Sequence, residues 1–280
     1  MKIKEILNFG EGKFLQISDG PRREIELLVM SVLDCKKIDL ILNFNEEVSK
    51  AHEIRINQGI KKRQRGLPLQ YIIGTQEFMG LDFSVTPDVL IPRQDTEILV
   101  EKIIEAYKDQ DNLKILDIGT GSGAIGISLA KFLKDVQVIS VDISPKALEV
   151  AKKNAKKNEV DHKITFIQSD LFKSLTADES FDIILSNPPY IPSKDILKLQ
   201  MEVKEYEPMV ALDGGKDGLD YYREITEKSR HYLKTNGLLA YEIGFDQGLD
   251  VSNMLRSGFH DIEIIKDLQK KDRVVLGYCN

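Results

Sequence analysis

The segment Lys114-Ile115-Leu116-Asp117-Ile118-Gly119-Thr120-Gly121-Ser122-Gly123 decides the fold that this sequence predicts. Its first five residues have the pattern of a short buried strand, and a helix-like run, 124–134, follows the glycines. Glycine permits positive φ and close approach of a ligand to the backbone, and the first turn of a helix offers free N–H groups. The order of strand, glycine loop and helix predicts nucleotide binding. Because Gly121, Gly123 and Gly126 also fit G-x-G-x-x-G, a dinucleotide is one alternative.

Helices and strands alternate beyond residue 95, and this alternation predicts a doubly wound α/β sheet. The predicted strands lie near 114–118, 137–142, 163–168, 181–186, 238–243, 260–265 and 273–279. Ligands of such sheets bind outside the carboxyl ends of the strands, near the point where the strand order reverses. The glycine loop (residues 119–123), Asp142, Asp170-Leu171 and Asn187 all fall at predicted strand ends, so the site is expected there.

Asp142 ends the strand that follows the glycine loop. A carboxylate at this position is placed to accept hydrogen bonds from ribose hydroxyls. The alternative role is capping of the next helix, but Ser144-Pro145 already provides a cap and a favourable first helical residue. The ribose role is therefore the prediction.

The tetrapeptide Asn187-Pro188-Pro189-Tyr190 closes an apolar strand and indicates chemistry on a planar NH2 group. The lone pair of such a nitrogen is delocalised, so it attacks a methyl donor poorly unless acceptors hold its N–H bonds. The Asn187 side chain and the Pro188 backbone each supply a carbonyl oxygen, and consecutive prolines stiffen the turn. Tyr190 can stack on the planar group. The alternative is a strand that stops because proline cannot continue the ladder.

An adenosine site beside a turn that orients an NH2 group narrows the cofactor to S-adenosylmethionine. With these motifs the chain resembles class I methyltransferases of the Asn-Pro-Pro-Tyr type, and more specifically the HemK-type peptide-chain release factor glutamine methyltransferases. The motifs carrying the resemblance lie at 68–72, 77–78, 91–93, 96–97, 119–123, 187–190, 207–208 and 214–219. Where the family commonly has Pro-Glu after Ile-Pro-Arg, this chain has Gln94-Asp95, which keeps a carboxylate at Asp95.

The resemblance implies a Rossmann-like class I methyltransferase fold and a role for each matching residue. The implied cofactor-binding residues are Gly119, Thr120, Gly121, Ser122, Gly123, Asp142, Asp170, Leu171 and Asn187, with Asp142 on the ribose and Asp170 and Leu171 beside the adenine. The implied catalytic and substrate-binding residues are Asn187, Pro188, Pro189 and Tyr190. The implied reaction is direct in-line transfer of the methyl group without a covalent enzyme intermediate, leaving S-adenosylhomocysteine.

The acceptor implied by the resemblance is the glutamine of the Gly-Gly-Gln motif in class 1 peptide chain release factors. A nucleic-acid adenine or guanine amino group offers the same flat NH2 and stays an alternative. A module that binds the cofactor without turnover is another, although the intact Asn-Pro-Pro-Tyr sequence argues against it. The formal net charge of −6 argues against a broad phosphate-binding face, so direct nucleic-acid binding is not expected to be required.

The domain prediction is a helical substrate-recognition domain at 1–66, a β-hairpin linker at 67–94 and a methyltransferase domain at 95–280. In the first domain, Pro21 predicts a helix start, Asn45 an N-cap and Gly66 a helix stop. The basic run Lys61-Lys62-Arg63-Gln64-Arg65 is interpreted as a solvated helix end. Apolar alternation over 70–85 predicts the hairpin.

The composition of the chain indicates its cellular location and argues against disulfide and metal sites. No apolar run is long enough to span a bilayer and residues 1–5 lack a signal-peptide core, so a cytoplasmic protein without membrane association is expected, and we expect a monomer. Cys35 and Cys279 form no Cys-x-x-Cys pair, and the four histidines are far apart in the sequence. Neither a disulfide framework nor a metal site is predicted.

Overall fold

Contacts divide the chain into two units in the computed structural model, which describes residues 1–280. Unit 1 comprises Met1–Thr75 and Gln200–Tyr206, and unit 2 comprises Gln76–Leu199 and Glu207–Asn280. Unit 1 therefore extends past the predicted boundary at residue 66 and includes a short segment from far along the chain. None of the helices combines the length and the apolar character that crossing a membrane requires.

Eleven α-helices and nine strands make up the chain. The helices are α1 Ile3–Phe14, α2 Pro21–Leu33, α3 Lys37–Leu42, α4 Lys50–Gln64, α5 Leu69–Ile73, α6 Gln94–Tyr107, α7 Ala124–Phe132, α8 Pro145–Lys157, α9 Met201–Tyr206, α10 Asp220–Ser229 and α11 Gly248–Leu255. The strands are β1 Thr75–Phe78, β2 Leu81–Ser84, β3 Leu113–Ile118, β4 Val136–Asp142, β5 Ile164–Gln168, β6 Phe181–Ser186, β7 Leu233–Glu242, β8 Phe259–Lys266 and β9 Asp272–Cys279. Short 3₁₀ turns occupy Asp161–Lys163, Ser193–Lys198 and Met209–Ala211.

Seven strands form one sheet in the order β5-β4-β3-β6-β7-β9-β8. The first five are parallel to one another, whereas β9 runs antiparallel to both β7 and β8. The strand order reverses at β3, which lies between β4 and β6. The predicted doubly wound seven-stranded sheet is confirmed, and the crevice expected at its switch point falls beside the ends of β3 and β6.

Both faces of the sheet are covered, which is why its strands are nearly continuous apolar runs. Successive residues of β6 enter different cores: Ile183 packs into one cluster and Ile184 into the other. Strand β7 begins five residues earlier than predicted, at Leu233, which pairs with Phe181 before the register shifts. The polar residues 234–236 that concealed this start include Asn236, whose φ is +59°.

Unit 1 has its own apolar core, drawn from α1, α2, α3, α4 and α5. The predicted helix start at Pro21 is confirmed, but the prediction of Asn45 as an N-cap is wrong. Helix α4 begins at Lys50, and Ser49 is its cap, accepting a hydrogen bond from the His52 backbone N–H. Residues 44–47 instead pair with the start of α1 through backbone hydrogen bonds, so their N–H and C=O groups are used elsewhere.

The interpretation of the basic run as fully solvated is wrong at one position. The run does end α4, as predicted, and Gly66 follows with φ +92°. Arg63, however, is only 4% exposed. Its guanidinium bonds both carboxylate oxygens of Glu24, at 2.7 and 3.1 Å, and pairs with Glu202 of α9 at 2.6 Å. Segment 200–206 is thereby fixed within unit 1.

The predicted hairpin is shorter than the alternation suggested. Strands β1 and β2 pair across a turn at Met79-Gly80, where both residues have positive φ. Residues 70–73 are helical rather than extended, because Pro68 precedes the first turn of α5 and Gly74, with φ +87°, ends it. The Glu97 carboxylate accepts the Met79 N–H at 2.7 Å and so joins the hairpin turn to α6.

Candidate active site

The ends of β3, β4 and β6 border one cavity, at the reversal point of the sheet. Register pairs Ile118 with both Val141 and Ser186, so the residues that follow these three strands lie side by side. The cavity is lined by Gly119, Gly121, Asp142, Asp170, Leu171, Asn187, Pro188 and Pro189 among the predicted site residues. The structure thus brings together eight of the twelve predicted positions at one surface.

The other four predicted residues, Thr120, Ser122, Gly123 and Tyr190, do not line this cavity. The Thr120 hydroxyl donates to the buried Asp117 carboxylate at 2.5 Å. Ser122 is buried and its carbonyl accepts from the Asn154 amide, while Gly123 precedes the first residue of α7. Thr120, Ser122 and Gly123 therefore support the conformation of the glycine loop without lining the cavity.

Asp142 holds the glycine loop in place and still faces the cavity. Its Oδ2 accepts the Gly121 N–H and its Oδ1 accepts the Ser144 N–H, both at 2.8 Å. Burial raises the pKa of Asp142, although these backbone N–H groups oppose the rise. Each carboxylate oxygen has two lone pairs, so both oxygens keep capacity for a further donor such as a hydroxyl. Ser144 meanwhile caps α8 by accepting from the Ala147 N–H.

The surface of the glycine loop is open toward the cavity. Gly119 and Gly121 have φ of +73° and +55°, and a Cβ placed on either would meet no atom within 4 Å. A flat or narrow ligand can therefore approach the loop backbone without displacing a side chain. Apolar groups from Ile143, Ala147 and Leu171 complete the nearby wall, and this combination suits an adenosine whose ribose lies on Asp142.

Close packing of a second glycine-rich loop supports the Asn-Pro-Pro-Tyr turn (residues 187–190). A Cβ on Gly214 would lie 2.7 Å from the Pro189 carbonyl oxygen, and one on Gly218 would lie 2.3 Å from that of Tyr190. Gln247 connects the same two segments, donating to the Tyr190 and Gly218 carbonyls at 3.0 and 3.1 Å. These contacts fix the backbone of the turn from its far side.

Asn187 is held through its side chain by residues that sequence reasoning missed. Its amide Nδ2 donates to the Thr96 hydroxyl at 3.3 Å. The Thr96 side chain also interacts with the buried Glu242 carboxyl, whose Oε2 has no hydrogen-bond partner. Thr96 belonged to the family resemblance without an assigned role. Glu242 ends β7, as Asp142 ends β4, so the rule that polar strand ends form the site would have selected it.

Tyr190 is partly buried, and desolvation raises the pKa of its hydroxyl to about 12. Charged groups that act on this hydroxyl include Glu242, Arg273, Arg93 and Asp95. Arg93 forms an ion pair with the buried Glu207 carboxylate, and Asp95 pairs with Arg273 at 3.1 Å. The departure at Gln94-Asp95 therefore retains an ionic role for its carboxylate.

Loops outside the predicted motifs complete the cavity. Asp88, Val89 and Leu90 contribute from the segment after the hairpin, and Tyr221 and Ile225 contribute from α10. Nothing in the local sequence of 88–90 indicates a binding role except its position just before the Ile-Pro-Arg motif. No cluster of three or more metal-ligating side chains is present in the chain.

Comparison with known proteins agrees with this geometry. Residues 5–74 match the family described as "PrmC N-terminal domain", and residues 109–240 match the one described as "Methyltransferase domain". The chain is 44% identical to the release factor glutamine methyltransferase of Clostridium acetobutylicum over 279 residues, which cover 99% of this chain and 98% of that protein. The chain belongs to the release factor glutamine methyltransferases. The Geobacter sulfurreducens member of this family is 42% identical, with 98% and 96% of the two chains covered.

Solved structures show that this family member has the fold of other methyltransferases. A methyltransferase from Pyrococcus furiosus superposes with a TM-score of 0.53 at 16% identity, covering 82% of this chain and 98% of that one. The hMettl16 catalytic domain, solved with an RNA hairpin, gives 0.57 at 14% identity and covers 82% of each chain. These similarities confirm the class I, Rossmann-like methyltransferase fold and extend no further.

Proposed function

We propose that this chain transfers a methyl group from S-adenosylmethionine to the side-chain amide nitrogen of the glutamine in the Gly-Gly-Gln motif of class 1 peptide chain release factors. The observation that carries the proposal is the Asn-Pro-Pro-Tyr turn at the edge of a cavity that also contains Asp142 and the glycine loop. The names of the similar proteins from C. acetobutylicum and G. sulfurreducens support the same acceptor. We place this reaction in the cytoplasm, where translation occurs.

Three features of the cavity fit the cofactor. Asp142 can receive both ribose hydroxyls because it lines the cavity at the end of β4 and each of its oxygens keeps capacity for a further donor beside the Gly121 or Ser144 N–H. Leu171 and Ile143 supply apolar contact for the adenine, with Asp170 at its border. The open backbone at Gly119 and Gly121 accommodates the methionine portion. Thr120, Ser122 and Gly123 act by shaping the loop.

When bound, S-adenosylmethionine would supply an electrophilic methyl group: the glutamine nitrogen forms the new N–C bond as the C–S bond breaks and sulfur keeps the electron pair. The positively charged nitrogen then releases one proton to water. The chain's task is to hold the nitrogen in line and to stabilise the positive charge that grows on it. Asn187 Oδ1 and the Pro188 carbonyl oxygen accept hydrogen bonds from the two N–H groups of the glutamine amide. These bonds strengthen as the N–H groups acidify. The close packing of Gly214 and Gly218 behind the turn limits its movement.

The role of Tyr190 stays a prediction. Stacking on the glutamine amide requires its ring to face the substrate, whereas in this structure the ring packs with the buried cluster on one face of the sheet. Pro189 borders the cavity and keeps the turn rigid.

We also propose that unit 1 recognises the release factor. Helix α3 exposes Ile38, Ile41 and Leu42, with 57, 53 and 74% of each residue accessible, and neighbouring exposed side chains of this size favour a protein contact. The proposal predicts that Leu42→Asp raises the KM for the release factor and leaves S-adenosylmethionine affinity unchanged. Leu15→Asp, at a similarly exposed apolar residue outside α3, is the matched control.

The deciding experiment measures transfer of labelled methyl from S-adenosylmethionine to a recombinant class 1 release factor. A release factor with alanine in place of the Gly-Gly-Gln glutamine is the control, and RNA and DNA are tested in parallel. We expect label only on the intact motif. Asn187→Ala removes one of the two acceptors, so the transfer rate should fall roughly a hundredfold to a thousandfold with cofactor affinity nearly unchanged. Label on nucleic acid alone, or on the alanine-substituted factor, would contradict the proposed acceptor.

A further inference from the structure

Three polar side chains form a buried chain that leads away from the proposed reaction centre. Asn187 Nδ2 donates to Thr96 Oγ1 at 3.3 Å. The Thr96 side chain also interacts with the Glu242 carboxyl, whose buried Oε2 has no hydrogen-bond partner. Thr96 and Glu242 are 4 and 1% exposed, so water does not compete for these interactions. Buried polar groups are costly unless they are hydrogen-bonded, and Glu242 Oε2 has no such partner, so a donor close to this carboxyl is favoured.

The fold explains how residues so far apart in the sequence meet. Strands β6 and β7 are parallel, and Ser186 pairs with Tyr241, so Asn187 and Glu242 each follow a paired residue at the same edge. Thr96 lies in the first turn of α6, on the face of the sheet that Leu238 and Ala240 also share. All three residues belong to unit 2.

The direction of the hydrogen bonds decides which atom of Asn187 faces the substrate. The Asn187 NH2 group donates to Thr96 Oγ1, so the Thr96 hydroxyl presents a lone pair to Asn187 and its own proton is available to the neighbouring Glu242 carboxylate, which can only accept. The lone pair selects the NH2 group of the Asn187 amide and leaves Oδ1 as the atom available to the substrate nitrogen. With the amide turned over, the side chain would present a donor where the reaction requires an acceptor.

We propose that Thr96 and Glu242 are positioning residues that lock the Asn187 side-chain amide with its oxygen toward the substrate nitrogen. This inference rests on the proposed function for its kinetic consequences. Neither residue lines the cavity, and both act through Asn187.

The ionisation of Glu242 gives the lock a pH dependence. Burial raises the pKa of Glu242 to about 7, against the opposing effects of the Thr96 side chain and of Arg273. The other charged or titratable groups acting on it are Asp95, which raises its pKa, and Arg93, which lowers it; Tyr190 and Tyr222 also lie within electrostatic range. Below about pH 7 the protonated carboxyl can donate to Thr96, whose hydroxyl is then free to turn toward the amide oxygen of Asn187.

The first test is a double-mutant cycle on methyl transfer to the release factor. Thr96→Val keeps the shape and removes the hydroxyl, so kcat should fall roughly ten- to a hundredfold while the Kd for S-adenosylmethionine stays within about twofold. Thr96→Ser should recover most of that loss. In an Asn187→Ala background, Thr96→Val should lower kcat little further, because Asn187, the residue through which Thr96 acts, has been removed. Ser128→Ala, which removes another buried hydroxyl bonded only to the Ala124 carbonyl, is the control for loss of packing.

Several outcomes would overturn the inference: full additivity of the two substitutions, a Thr96→Ser enzyme as slow as Thr96→Val, or a loss in cofactor affinity instead of kcat. If Thr96→Val does not fold, Thr96→Ala and Thr96→Ser complete the same comparison. For the pH arm, wild-type kcat should drop on lowering the pH through about 7, whereas Glu242→Gln should be slower at pH 8 and flat over that range. A pH profile of kcat in Glu242→Gln that matches the wild-type profile would contradict the positioning role of Glu242.

A second readout needs no substrate. In protein labelled at asparagine side chains, the Asn187 NH2 signals should report a slowly rotating amide that shifts with a midpoint near pH 7, and Glu242→Gln should abolish that midpoint. If the wild-type chain fails to methylate a release factor, the proposed function is wrong, and this measurement still decides the positioning role. Asn187 signals that are insensitive to pH and to Glu242→Gln would refute it.

Discussion

Replacement of Arg63 by methionine should destabilise unit 1 strongly, because it leaves two carboxylates without their common partner. The Arg63 side chain is 5% exposed, against 20% for Glu24 and 32% for Glu202. Arg63 makes two bonds to Glu24, one to Glu202 and a longer one, 3.4 Å, to the Ile17 carbonyl. Methionine retains most of the apolar stem, so the loss measured is that of the ionic bonds.

The expected magnitude follows from burial. Removing one partner of a buried ion pair costs about 3–5 kcal/mol, since the remaining charge is left unpaired. Both carboxylates here keep some access to water and can partly rehydrate, which favours the low end of that range, about 3 kcal/mol. Because 1.36 kcal/mol corresponds to a factor of ten, local opening should become roughly a hundredfold more frequent.

Native-state hydrogen exchange measures this opening directly in α4 and α9. Arg65→Met is the matched control, because Arg65 belongs to the same basic run but is exposed and makes no ion pair. We expect faster exchange in both helices for Arg63→Met and little change for Arg65→Met. Equal protection in the two variants would show that burial of the guanidinium contributes nothing to the stability of unit 1.

Two further substitutions test the site and its support. Asp142→Ala should weaken S-adenosylmethionine binding in calorimetry by on the order of 1.5 to 3 kcal/mol through loss of charged hydrogen bonds, and an unchanged Kd would exclude Asp142 as a ribose ligand. Gly218→Ala should lower methyl transfer at least tenfold, because φ is +79° and the new Cβ would lie 2.3 Å from the Tyr190 carbonyl oxygen. Gly12→Ala, in an exposed part of α1 with open space around it, should be neutral or stabilising by up to about 1 kcal/mol; similar behaviour of both variants would show that the contact with Tyr190 is not needed.

The sheet was predictable because its signals are local. Strands β3 and β6 are buried on both faces, so each appears as a mostly apolar run, followed by Gly119 after β3 and by Asn187-Pro188 after β6. The location of the ligand site beside these strands, at the point where the strand order reverses, then follows from the general rule for such sheets. The eight predicted residues that line the cavity lie at strand ends or in turns, signals that depend only on adjacent residues, and the family resemblance supplied their roles.

The parts that escaped prediction depend on distant residues. Arg63 resembles any other member of its basic run, and its burial follows from Glu24 and from a helix 138 residues further along the chain. Thr96 and Glu242 meet only after β6 and β7 have paired and α6 has packed on the sheet. Asn45 failed as a cap for the same reason, since pairing of its segment with α1 outweighs the local preference.

The two proposed acceptors of the Asn-Pro-Pro-Tyr turn are held by different means. The Pro188 carbonyl is part of the backbone, whose position is fixed by the proline rings, by Gly214 and Gly218 behind the turn and by the bonds from Gln247. The Asn187 carbonyl belongs to a rotatable side chain, and backbone packing cannot choose between its oxygen and its nitrogen. A separate side-chain network is therefore required for one acceptor only, and damage at Thr96 should weaken that acceptor while damage at Gly218 should displace both.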